Sequence, residues 1–323
     1  MIDLLILFPE EGSNLIGFMI WPIFIIIMML YGQRLQAFLA LNDIGRSLNK
    51  IKIMRDKSRE ETLEYVKENF KPEVDPSEKI DQLLEFFTIM PVDLDPAGVV
   101  SKIEHVINNR NERMRDEIRK MVPNADAVQT STTENVVEVA TVLNLIYKIV
   151  RHFYILGKRT KSFFIVIQLQ MIMPLIMQEA NALNSALQAF KRSQPVGDGI
   201  GPMVVGKLML DKEKKPIARD TVFSESEYNE RTLYLLKAEG PGGNVGEPGK
   251  AIEKMVGEMD LGINTIIMVD AALKLEGEKT GSIAEGIGAA IGGIGVDRFK
   301  IEEAALKSNI PLYAVVIKQS LME

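Results

Sequence analysis

The stretch VGDGIGPMVVGKLM, Val196 to Met209, sets a single acid, Asp198, among glycines and a proline, directly before an apolar run that reads as a helix. It is also a seam in composition. Between Gln33 and Pro195 the chain has three glycines, Gly45, Gly98 and Gly157, whereas 18 of its 24 glycines fall at or after Gly197. Glycine weakens helices and admits turns that other residues resist. The two sides of the seam are therefore expected to be built differently, with long helices before it and strands, glycine loops and short helices after it.

After the seam, RTLYLLKA (Arg231–Ala238) reads as a strand, GPGGNVGEPG (240–249) as a loop and Lys250–Met259 as a helix. INTIIMVD (Ile263–Asp270) reads as a buried strand; then come the long loop LEGEKTGSIAEGIGAAIGGIGVD, a helix from about Lys300 to Ser308 and the strand PLYAVVIK, 311–318. Strands alternating with helices predict βαβ crossovers, so residues 195–323 are expected to form an α/β domain with a mostly parallel sheet. Ligands bind such sheets at the carboxyl ends of the strands, where both glycine loops and Asp270 are expected. The closing KQSLME reads like the start of another helix, which predicts that the native chain continues.

Before the seam, helical patterns run over Arg34 to about Phe70, Ser77–Phe87, Pro96–Met121, Thr133–Leu156 and Thr160–Arg192, punctuated by Pro72, Pro76, Pro91 and Pro123. Residues 33–194 are thus expected to be an all-α region. Within it SFFIVIQLQMIMPLIM, 162–177, is strongly apolar but holds Gln168, Gln170 and Pro174 and is short for a crossing. It reads as a buried core helix or a face lying on a membrane.

The N-terminus carries the strongest apolar signal. No residue from Gly12 to Gln33 is charged, and LIGFMIWPIFIIIMMLY, Leu15–Tyr31, has about the length that crosses roughly 30 Å of hydrocarbon. Residues 15–32 are expected to be a transmembrane helix in contact with the lipid bilayer. Asp3, Glu10 and Glu11 precede it, whereas Arg34, Arg46, Lys50, Lys52, Arg55, Lys57 and Arg59 follow. The positive-inside rule then leaves residues 1–14 outside and everything after 33 in the cytoplasm of a single-pass cell-membrane protein.

Bulk composition narrows the chemistry. The net charge of −6 argues against nucleic acid as a partner. With no cysteine, thiolate catalysis and cysteine-ligated metals are excluded, and the two histidines, His105 and His152, argue against a histidine-rich metal site or a Ser-His-Asp triad.

Acids and glycines remain. Asp270 in IIMVDAA would be an acid in a buried strand, where paired or functional roles are usual. Asp198 and Asp270, if brought together, could share a proton and activate water, or hold a divalent metal; an aspartate in a G-D-G turn is also an ordinary structural residue. The loop holding Gly242, Gly243, Asn244 and Gly246, with Lys250 beyond it, precedes a helix N-terminus and could meet an anion. It lacks the spacing of both the Walker and the dinucleotide fingerprints, and a turn or a lid is the other reading. The run with Gly292 and Gly293 is either a loop packed on the sheet or a flap over a pocket.

GDGIGPMVVGKL, then IIMVDA, then TGSIAEGIGAAIGGIGVDRFKIEEAALKSNIPLYAVVI resemble, over roughly residues 195–320, the spore germination protease and hydrogenase maturation protease group. That resemblance implies a phosphorylase/hydrolase-like fold in which Asp198 and Asp270 match two active-site acids. The whole chain also resembles an archaeal family of membrane-anchored proteins of unknown function. The leading expectation is a membrane-anchored, acid-pair hydrolase or peptidase whose glycine loops shape the pocket. The competing one is a non-catalytic homo-oligomeric membrane scaffold whose α/β domain binds a small ligand or a protein.

Overall fold

The computed structural model describes residues 14–91, 98–240, 243–259, 261–292 and 295–322. The expected outer segment 1–14 lies almost wholly outside these. The helices are α1 (Asn14–Phe70), α2 (Ser77–Leu84), α3 (Val99–Met121), α4 (Ala127–Thr160), α5 (Phe163–Lys191), α6 (Ile200–Leu208), α7 (Pro248–Gly257) and α8 (Val296–Lys307). The strands are β1 (Lys215–Ala218), β2 (Thr221–Tyr228), β3 (Arg231–Ala238), β4 (Ile266–Leu273), β5 (Ile283–Ile287) and β6 (Leu312–Gln319). The apolar N-terminal segment and the mixed-charge helix after it are thus one 57-residue helix.

Two compact units emerge, which do not follow the seam at residue 195. The first joins Met1–Ile53 to Leu145–Met177. Ala40, Ile44 and Ile51 of α1, Val150 of α4, and Val166, Leu169 and Met173 of α5 are buried. Gly45 faces the Tyr154 ring, and a Cβ on Gly157 would lie 2.9 Å from Val166 Cγ2, so glycine lets α4 and α5 approach closely where they turn back on each other. The turn closes because Lys161 adopts φ 54° and Ser162 caps α5, its hydroxyl accepting the Ile165 N–H at 3.4 Å.

α4 and α5 are each long and apolar enough to cross a membrane. Residues 163–177, expected to be short for a crossing, are the first part of the 29-residue α5. α1 is a third candidate when its segments Ile20–Ile26 and Tyr31–Phe70, which meet at 41°, count as one span.

The second unit joins Met54–Asn144 to Gln178–Glu323. Its helical core gathers Tyr65 and Val66 of α1, Ile80, Leu83 and Leu84 of α2, Met114, Ile118 and Met121 of α3, and Val137 and Ala140 of α4. Burying such side chains stabilises by roughly 1.5–3 kcal/mol each. At its rim Glu117 is met by Lys79, by Arg113 at 2.9 Å and by Lys120 at 3.2 Å. Those cations lower its pKa to about 2.

The C-terminal part is α/β, but its sheets are small and mixed. β1, β2 and β3 form an antiparallel sheet in that order. In the second sheet, ordered β4-β6-β5, β4 and β6 pair in parallel and β5 runs antiparallel to β6. The expected mostly parallel sheet is corrected to one parallel pair. The cause is local: Asp220 and the pair Asn229–Glu230 adopt positive φ, turning the chain into hairpins on either side of β2. β5 likewise lies inside a stretch read from its glycines as loop. α6 packs on β3 and β4, α7 on β1, β3 and α8, and α3 on α8.

Candidate acid site and the loop beside it

β4 is an edge strand, and it runs past Asp270 to Leu273 because Ala271–Leu273 continue to pair with Ile317–Gln319. Asp270 therefore sits within the strand, where the sequence placed it at the end. Its Oδ1 accepts the N–H of Ala271 at 2.8 Å and its Oδ2 accepts the N–H of Gly292 at 3.1 Å. The residue next to it along the strand, Val269, meets the start of α6: a Cβ on Gly201 would stand 2.2 Å from the Val269 carbonyl oxygen and 3.2 Å from the Asp270 Cα. Only glycine fits that approach.

Asp198 lies in the 3-10 turn Gly197–Gly199, which runs straight into α6 and contacts β4. The turn forms because Gly199 N–H bonds the Val196 carbonyl at 2.8 Å. Gly201 in contact with β4 thus brings the G-D-G turn to Asp270. Burial raises the Asp270 pKa; the Ala271 and Gly292 N–H groups pull it back, and the charge of Asp198 pushes it up. A carboxyl whose pKa is pushed up by burial and by a second carboxylate is shifted in the direction that proton donation requires.

Gly292 joins this site through its backbone. Gly243, Asn244, Gly246 and Lys250 gather elsewhere, around Asp220. Gly243 N–H donates to Asn135 Oδ1 at 3.2 Å, Asn244 Nδ2 to Asp220 Oδ2 at 2.7 Å, and Gly246 N–H to Asn244 Oδ1 at 3.1 Å. Lys250 bonds Glu247 at 3.0 Å and Glu104 at 3.2 Å. The donors that would meet an anion already have protein acceptors. Gly246, at φ 67°, has room for no side chain, since a Cβ there would lie 2.3 Å from the Thr221 hydroxyl. Gly242 and Gly293 lie outside the described residues.

Sequence reasoning missed the residues that organise this loop. Arg115 of α3 bonds Glu134 at 2.9 Å and Asp220 at 3.0 Å, and Arg219 bonds Glu112 at 2.9 Å. Burial opposes ionisation of Asp220, but Asn244 and Arg115 hold its pKa below the usual value. Asp297, in the first turn of α8, accepts the Gly249 N–H at 2.9 Å and so caps α7. Burial raises the Asp297 pKa against that bond. An acid opening a helix was visible in GVDRFK; its service to a different helix was not.

Among the described residues no three His, Cys, Asp or Glu side chains gather to hold a metal. Two surface hollows, about 360 Å³ beside Glu225–Arg231 and about 510 Å³ beside Asp56–Lys67, touch neither Asp198 nor Asp270.

The class so defined is a helical protein with candidate membrane spans carrying a small mixed-sheet α/β domain with two neighbouring acids. The chain belongs to the DUF1512 family: residues 18–193 match the N-terminal domain described as a protein of unknown function, and residues 196–323 match the C-terminal domain of unknown function. No curated protein and no solved structure matches it. The resemblance to the germination and hydrogenase maturation proteases, and the archaeal attribution, thus gain no support from these comparisons.

Proposed function

We propose that the protein is anchored in the membrane by residues 15–32 and that its C-terminal domain is a carboxylate-pair hydrolase acting on peptide bonds. The observation that supports it is the contact of the Gly197–Gly199 turn with β4, across which burial and the charge of Asp198 push the Asp270 pKa up. In that role Asp198 takes a proton from water while the Asp270 carboxyl gives one to the substrate carbonyl oxygen, after which the two exchange roles. The test is incubation of the purified full chain with a mixed peptide library, read by mass spectrometry. Cleavage is expected, with Asp198→Asn and Asp270→Asn each lowering it at least a hundredfold while the melting temperature stays within a few degrees. Cleavage that survives both substitutions, or no cleavage of any peptide, rejects the reading.

A second reading, a homo-oligomeric scaffold, is favoured by one observation. On the outer face of the second sheet Ile267, Tyr313 and Ile287 stand in one row, 63%, 45% and 89% exposed. Large uncovered apolar patches mark interaction surfaces. Sedimentation of the detergent-solubilised chain decides: an oligomer that Tyr313→Asp dissolves supports it, and a monomer rejects it.

A further inference from the structure

We propose that the turn between α4 and α5 docks on the anionic headgroup layer at the cytoplasmic base of the α1 anchor, so that the protein holds the membrane surface at a second point. This rests on the anchor reading above.

Charge is segregated in the unit formed by Met1–Ile53 and Leu145–Met177. Residues 31–53 and 145–177 carry nine Lys and Arg against one acid, Asp43, in a chain with 38 Lys and Arg against 44 Asp and Glu. Lys158, Arg159 and Lys161 crowd the turn, are exposed, and form no ion pair with a described residue. The α4 dipole welcomes two of them, but no acidic side chain occurs anywhere in 145–177.

Geometry puts the turn beside the anchor. Gly45 of α1 and Tyr154 of α4 are in contact, eight residues before Ile53 and nine after Leu145. From Tyr154 the chain climbs to Lys161, about 10 Å farther on at 1.5 Å per residue. Seven residues from Gly45 toward the N-terminus, α1 reaches Phe38. Arg34, whose guanidinium lies 5.9 Å from the Tyr31 ring centre, follows about one turn higher. Farther toward the N-terminus α1 presents Ile20, Trp21 and Ile23–Ile26 at 53–60% exposure. Phe38 is 66% exposed, and Phe164, three residues past Lys161, is 68% exposed. A basic collar with aromatic side chains at the foot of a bare apolar helix matches the headgroup region, where each Lys or Arg contributes about 1 kcal/mol on an anionic surface.

The chain has no cysteine, so single cysteines report cleanly. The full chain carrying Thr160→Cys with an environment-sensitive fluorophore is reconstituted in nanodiscs of neutral phosphatidylcholine or of 70:30 phosphatidylcholine and phosphatidylglycerol. Headgroup-region nitroxide lipids are expected to quench the label in the anionic discs, less in neutral discs and less at high salt. Adding Lys158→Gln, Arg159→Gln and Lys161→Gln should shift the docked-to-undocked ratio by on the order of a hundredfold, from about 1 kcal/mol per charge. Inorganic phosphate at millimolar concentration should leave the quenching in place. Equal quenching in neutral and anionic discs, no quenching in either, or loss by phosphate alone overturns the proposal. So does quenching of a Phe153→Cys label by deep acyl-chain nitroxides, which would put the hairpin across the bilayer. An Ile25→Cys label separates the two readings: unquenched, the anchor fails; quenched while Thr160→Cys stays in water, only the docking fails.

Discussion

Asp270 shows how one side chain can serve an edge strand and a site together. Its carboxylate satisfies the Ala271 N–H on β4 and reaches across to Gly292, and these two bonds fix its position. Gly201 sets the other half of the geometry. Gly201→Ala drives a methyl into the Val269 carbonyl oxygen and should lower stability by about 1–3 kcal/mol, read as a fall in the urea midpoint, together with a drop of the Asp270 pKa as Asp198 moves off. Glu117 makes a separate case. Its folded pKa of about 2 lies below the ordinary 4.5, so its contribution is complete above pH 4.5 and disappears as pH falls from 4.5 to about 2. Glu117→Gln should cost about 2 kcal/mol in urea titrations at pH 7 and much less at pH 2, where the carboxyl is about half protonated in the folded chain.

Among the elements, long helices and apolar strands were legible, and strands of mixed character were not. α1, α3, α4 and α5 show in the sequence because apolar positions recur over many turns, and prolines mark the breaks. β3, β4 and β6 show as apolar runs. β1 and β2 hide because KPIA and TVFSESEY are mixed in character and their turns depend on Asp220 and Asn229 at positive φ, residues that also occur in ordinary loops. β5 hides because IAEGI contains glycine and gains its strand form only by pairing with β6. Asp198 and Asp270 were legible as acids in unusual settings, whereas the Arg115–Asp220–Asn244 chain, spanning 105 residues at its longest link, left no local trace. That chain holds the loop after β3. Asp220→Ala should leave the helical core folded and make residues 240–249, at the bond before Val245, the first site of thermolysin cutting in limited proteolysis; an unchanged digestion pattern would mean that the Gly249–Asp297 bond alone suffices.

For the whole molecule the main division is electrical. The first unit is basic and apolar, and the rest of the chain is acidic. α4 and α5 each have the length and apolarity of a span, but crossing would draw Lys148 and Arg151 into hydrocarbon and carry the Lys158–Lys161 turn outward against the positive-inside rule. In sealed right-side-out vesicles, Asp3→Cys should react with an impermeant maleimide, and Lys161→Cys and Lys212→Cys only after permeabilisation; labelling of Lys161→Cys from outside would make the hairpin a crossing. The catalytic reading depends on whether the two acids sense each other. Carbon-13 titration of the Asp270 carboxyl in the full chain should give a midpoint above the ordinary 3.8, falling when Asp198 is replaced by asparagine. A midpoint at or below 3.8, or one that Asp198→Asn does not move, would contradict the acid pair.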